Sequence, residues 1–204
     1  MTGTGEKKMN VCSISLALGL LLAPCIASAQ QLDNSQIMST LAQMRSAAPA
    51  VDVALLVEEA NANVGKGVAA LPNWSKLSEL SQLIVEIDFE NNSTAIEPKS
   101  YRTVGLIADA LHHPDLFRYK FLIVGHSSAT GTAKHNLELS QKRADAINEA
   151  LSTTFAVSPD RLFSVGAGEE WPIDPGHPES ADNRRVQLIN LGLLNRATQG
   201  KSRE

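Results

Sequence analysis

The residues best placed to do chemistry lie between Gly125 and Ile147. The run Gly125-His126-Ser127-Ser128-Ala129-Thr130-Gly131 is followed by Asn136, Leu139, Ser140, Arg143, Ala144 and Ile147. From Asn136 onward these positions trace one face of a helix. Leu139, Ala144 and Ile147 suit packing, whereas Asn136, Ser140 and Arg143 are polar groups that need partners beside a core. Asn136 and Arg143 would stand about 10 Å apart along the axis. A small ligand carrying charges of both signs can lie along such a face. The planar guanidinium of Arg143 suits a carboxylate, which it can hold through two parallel hydrogen bonds.

Patterns for bond-making chemistry are missing. His126 beside Ser127 and Ser128 invites a hydrolase reading, but the turn Gly-x-Ser-x-Gly is absent and adjacent residues seldom point at one another productively. His135 and Glu138, even with His126, lack the His-Glu-x-x-His spacing of a zinc site. Gly166-Ala167-Gly168 has neither the third glycine nor the downstream acid of a dinucleotide-binding turn. The expectation is a protein with no catalytic residue, no metal site and no cofactor.

Strands alternating with helices must position these groups. Leu83 to Phe89 reads as a strand, broken by Glu90-Asn91-Asn92-Ser93. Residues 98–111 carry an apolar stripe, Phe121 to Val124 is a buried-strand run, and residues 132–151 form a long amphipathic helix. Ser158-Pro159-Asp160 opens a short helical turn, with Ser158 as cap and Pro159 at its first position. Leu162 to Val165 and Arg185 to Ile189 complete the strands. The pattern predicts an α/β domain, a small mixed β-sheet covered on one face by helices. Before it, residues 30–81 are Ala-rich and weakly patterned; Ile37, Leu41 and Met44 sit at near-helical spacing, Val53 to Ala62 is a candidate helical segment, Gly65, Gly67 and Pro72 interrupt the stretch, and the whole reads as a helical or partly disordered spacer. If extended, that spacer would reach beyond about 100 Å.

Composition fixes the setting. The 204 residues are 43% hydrophobic with net charge −4, and no basic stripe appears, so nucleic acid is excluded as a partner. Lys7 and Lys8 precede an uncharged apolar run from Val11 to Ile26 that ends in Ala27-Ser28-Ala29, the pattern of a secretory signal cleaved before Gln30. Cys12 and Cys25 both fall inside that segment, so cleavage leaves no cysteine and no disulfide. Two readings compete with cleavage: an uncleaved membrane anchor, since Val11 to Ala29 is nearly long enough to cross a bilayer, and lipidation at Cys25, although Pro24 fits the lipidation pattern poorly. A monomer is the default.

Phe89 to Ile96, the Gly-His loop, Asn136-x-x-Leu139-Ser140-x-x-Arg143-Ala144, Gly166-x-Gly168-Glu169 and Asn183-Arg184-Arg185-Val186 occur in this order. Together they resemble the C-terminal, peptidoglycan-associating domain of the OmpA-like family, which includes peptidoglycan-associated lipoprotein and flagellar motor B proteins. The resemblance divides the chain into a signal peptide (1–29), the spacer (30–81), an OmpA-like domain of βαβαββ order (82–192) and a tail (193–204). It implies a periplasmic protein associated with the cell wall or outer membrane, binding the diaminopimelate-bearing stem peptide of peptidoglycan noncovalently. The implied ligand residues are Arg143, Asn136, Ser128, Leu139, Asn183, Arg184 and Arg185. Residues 30–81 are a candidate contact for other envelope proteins.

Two adjacent positions depart from the family. Ser128 stands where an aspartate is usual, and Ser127 where a threonine is. A charge-assisted contact contributes about 1.5–3 kcal/mol against about 0.5–1.5 for a neutral hydroxyl, so the resemblance implies affinity lowered roughly ten-fold. Glu90 and Glu138 are candidates for the missing negative charge. The alternative is a degenerate domain serving as a protein-interaction module.

Overall fold

A computed structural model describes residues 33–42, 50–90 and 93–194, all within one compact unit. The expected signal segment, and all but the first two residues of the expected tail, lie outside the described residues. Strands β1 (Gln82–Val85), β2 (Tyr119–His126), β3 (Leu162–Gly168) and β4 (Val186–Leu193) form one sheet in the order β1-β4-β2-β3. β4 runs antiparallel to β1 and β2, while β2 and β3 are parallel, so the sheet is mixed, as expected. The helices are α1 (Asn34–Leu41), α2 (Val53–Ala62), α3 (Tyr101–His112) and α4 (Ala133–Glu149).

Central β2 shows why its run is continuously apolar. Phe121 and Ile123 enter one core, with α1, α3 and Ala144 and Ile147 of α4. Leu122 and Val124 enter a second core on the opposite face. A strand buried on both sides has no polar face to alternate with. Asn190 ties α1 down, its side-chain amide donating to the Leu41 carbonyl at 2.9 Å.

The second core is built largely by the segment read as a spacer. Leu56 and Ala60 of α2, Leu71, and Trp74 and Leu77 of a 3-10 stretch are all buried there. Trp74 donates from Nε1 to the Leu56 carbonyl at 3.1 Å and meets Trp171 edge-on, with 6.1 Å between ring centroids. Residues 50–81 are thus a folded layer, and the long reach of an extended spacer is not open to them. The helical layer expected on one face is joined by a second. Gly65 and Gly67, expected as interruptions, have φ of +76° and +75° and donate their N–H groups to the buried Glu170 carboxylate. A left-handed backbone, easy for glycine, aims both donors at one acid.

Helix α4 begins at Thr132, whose side chain accepts from His135 N at 3.2 Å. It lies so close to the sheet that a Cβ on Gly125 would sit 2.2 Å from the Ser140 carbonyl oxygen, and one on Gly166 would sit 2.5 Å from Gln141 N. The glycines of both loop motifs therefore serve helix–sheet packing. Ser140 Oγ accepts from Gly168 N at 2.9 Å and Gln141 Oε1 from Gly166 N at 2.8 Å, which satisfies donors along β3. The expected turn at Ser158 is a 3-10 turn, Pro159–Arg161. The Ser158 hydroxyl pairs with the Asp160 carboxylate at 2.5 Å instead of capping the backbone.

A bipolar cleft around Arg143

Past β1 the chain stays extended, turns, and returns. Glu97 N donates to Asp88 O and Glu90 N to Ala95 O, both at 2.9 Å, and Phe89 bridges to Ile96. These bonds make a short hairpin that forms one wall of a cleft of about 430 Å³. Arg143 of α4 and Arg184, which precedes β4, supply cations to the cleft, and Thr130 of the loop after β2 contributes a hydroxyl. Glu86, Asp88 and Glu97 supply three carboxylates. The lining carries charges of both signs.

Arg143 is held but not neutralised. Its guanidinium carbon lies 4.8 Å from the centre of the Phe89 ring, and Nε donates a long bond of 3.4 Å to the Ser93 carbonyl. Among the described residues no carboxylate forms an ion pair with it. Burial pushes its pKa below the ordinary arginine value, and repulsion from Arg184 adds to that. Two like charges facing one opening, one of them half-buried, favour an anion between them.

Of the seven residues expected to touch ligand, the structure brings Arg143 and Arg184 to this cleft. Ser128 is buried, and its hydroxyl lies 3.1 Å from that of Thr130, which does line the cleft. Asn136 is also buried and donates to the Glu169 carboxylate. Leu139 is partly buried on the same helix, away from the cleft lining. Asn183 is fully buried. Its amide oxygen accepts from Ile173 N and Asp174 N at 2.9 and 3.1 Å, and its amide nitrogen donates to the carbonyls of His177 and Pro178. All its hydrogen-bonding capacity braces the loop between β3 and β4.

Arg185 points into the second core. It donates to Trp171 O at 2.9 Å and Asn183 O at 3.5 Å, and burial pushes its pKa down to about 10. His126 is beside it, with Nε2 3.0 Å from Gln187 Oε1 and its ring 5.9 Å from that of Trp171. Burial, assisted by Arg185, lowers the His126 pKa to about 3, so the ring is neutral at physiological pH. Neither Asn183 nor Arg185 lines the cleft: the Asn183 side chain is spent on the chain's own backbone, and Arg185 is buried with two donors on backbone carbonyls and Nε without a partner among the described residues.

The acids suggested from sequence are not the ones that line the cleft. Glu90 is absent from the cleft lining, and Glu138 lines a separate cavity of about 290 Å³ between α2 and α4. Glu86 and Asp88 share a spacing of two on an extended segment, which was a usable signal for a common side. Nothing in the sequence announced Glu97, which the return of the hairpin brings alongside Asp88. Among the described residues no group of three or more His, Cys, Asp or Glu side chains could hold a metal ion. No described helix is long and apolar enough to cross a membrane.

Sheet, helices and cleft together define an α/β domain with one opening lined by charges of both signs. A model of the OmpA family matches residues 88–185. Peptidoglycan-associated lipoprotein of Pseudomonas putida is 32% identical, with 62% of this chain and 82% of that protein covered. The protein of the same name from Pseudomonas aeruginosa is 30% identical, covering 63% and 75%. Among solved structures, the peptidoglycan-associated lipoprotein from Burkholderia pseudomallei shares 32% identity, covers 51% of this chain and 87% of that one, and superposes with a TM-score of 0.45. The chain belongs to the OmpA family.

Proposed function

We propose that this chain associates with peptidoglycan in the bacterial cell envelope, without catalysing a reaction, through the cleft around Arg143. The relatives' names, peptidoglycan-associated lipoproteins, support the general assignment. The observation that carries the site is Arg143, half-buried over Phe89 and without a carboxylate partner among the described residues, facing an open cleft with Arg184. A desolvated guanidinium with free donors binds a carboxylate more strongly than an exposed one, because the contact is charge-assisted and less screened. In the stem peptide that carboxylate belongs to the diaminopimelate residue, which also carries an ammonium.

The expected signal at residues 1–29 supports a periplasmic location for this activity. Residues 50–81 support the domain as a folded layer. A role for that layer in contacting other envelope proteins would have to use its outer face, where Leu55 and Val68 are exposed.

Retention on purified sacculi tests the reading. Arg143→Ala should lower retention at least ten-fold, the scale of one lost charge-assisted contact, about 1.5–3 kcal/mol. Arg143→Lys should retain part of the binding, since it keeps the charge but loses the planar fork. Equal retention of wild type and Arg143→Ala would refute the assignment.

A further inference from the structure

The acid side of the cleft already holds an ammonium. Lys99 Nζ lies 3.2 Å from Asp88 Oδ2 and 3.2 Å from Glu97 Oε2, a symmetric two-carboxylate grip. The grip is built by the backbone. Glu97 N donates to Asp88 O, and Asp88 N donates at 2.9 Å to the hydroxyl of Ser100, which is itself buried. The hairpin backbone therefore holds the two residues side by side, and Lys99 is the group that meets both carboxylates. Both line the same cleft as Arg143 and Arg184.

We infer that the Asp88–Glu97 pair is the ammonium-binding half of this cleft, and that Lys99 fills it as an intramolecular stand-in until a ligand's own ammonium displaces it. This rests on the proposed function and names the second recognition point of the same site. Three features carry it. The anion side, Arg143 with Arg184, has no carboxylate partner among the described residues, so the cleft's own charges are not paired across it. The loop position where an acid is usual holds Ser128, a buried neutral hydroxyl bonded to Thr130, so the loop supplies no negative charge there. Lys99 is 67% exposed on its side chain and leaves from a flexible stem, and exposed pairs of this kind are weak. Displacement exchanges one ammonium for another, and the charge that meets the two carboxylates is unchanged. The ligand class is a zwitterion whose primary amine and carboxylate are separated by roughly the width of the cleft, as in a diamino acid with one amine free.

The test is a titration of a diaminopimelate-containing stem tripeptide against the whole mature chain, with the side-chain amine either free or acetylated. Wild type should bind the free-amine peptide about three- to five-fold more tightly than the acetylated one, the range of an exposed ion pair. Lys99→Met should tighten the free-amine peptide by a similar factor and leave the acetylated peptide unchanged. Asp88→Asn combined with Glu97→Gln should abolish the preference between the two peptides. These positions are at the surface, and unchanged thermal unfolding of each variant confirms that it is folded. If wild type binds both peptides equally while Arg143→Ala binds neither, the ammonium site is refuted and the Arg143 cleft stands. If wild type binds neither peptide, the proposed function falls, and this inference with it.

Discussion

The two sides of this domain treat their polar groups in opposite ways. On the second-core side, Glu170 is saturated by Gly65 and Gly67, Trp74 by the Leu56 carbonyl, and His126 is enclosed by Gln187, Trp171 and Arg185. At the cleft, Arg143 makes one long bond and a ring contact, and Arg184 is exposed beside it. The first region spends most of its hydrogen bonds on itself, leaving only a few buried atoms such as Arg185 Nε and His126 Nδ1 without a partner among the described residues, and the second keeps donors for something else. The lesson concerns arginines in particular. Arg161 donates to three backbone carbonyls, those of Tyr119, Leu111 and Leu116, and is structural by that account. Arg143 differs from it in partners, not in residue type.

The comparison can be broken first on the sealed side. Trp74→Ala should cost about 3–5 kcal/mol of stability, the usual penalty for emptying a large aromatic site, read by urea unfolding. Peptide affinity per folded molecule should stay unchanged. A loss below about 1 kcal/mol would mean that residues 50–81 do not form an integral layer.

A smaller effect should appear with pH. His126 has a folded pKa of about 3, below the ordinary 6.5 that it regains on unfolding. Between those values the unfolded chain binds the extra proton, so stability falls as pH falls and recovers as pH rises. From pH 7.5 to 5 this group should remove about 2 kcal/mol. His126→Gln should flatten the slope across that window even where it lowers stability overall. An unchanged slope would show that the ring titrates normally.

The smallest effect belongs to Arg184, exposed at the rim of the cleft. Arg184→Ala should weaken stem-peptide binding only about two- to four-fold, because its charge is screened by solvent. It should also raise the salt tolerance of what binding remains and leave unfolding within about 0.5 kcal/mol of wild type. A loss as large as that of Arg143→Ala would make the two cations equal partners and erase the distinction between the buried and the exposed one.

Much of this was legible from residues alone. The four strands, the long helix and Arg143 on its face followed from hydrophobic period and residue type, signals that survive without tertiary context. The helical segment Val53–Ala62 was legible, but its place in a second layer against the sheet was not. Its α2 helix is Ala-rich with few buried positions, Leu56 and Ala60, and a stretch so weakly patterned becomes stable only against a sheet that receives it. The Asn183-Arg184-Arg185 run was read as one unit, yet Asn183 and Arg185 are buried while Arg184 is exposed. Adjacent residues on extended chain point to opposite sides, and the sequence does not say which side is cleft.

By itself, then, the sequence determined the order of strands and helices and the presence of a guanidinium on the face of α4, because those depend on local periodicity and chemistry. Only the tertiary structure decided which polar groups are spent. Whether an arginine is a brace or a grip depends on carbonyls and carboxylates brought from distant segments, Tyr119 to Arg161 in one case and the 88–97 hairpin to Arg143 in the other. Partner supply is a property of the folded neighbourhood, and no spacing along the chain encodes it.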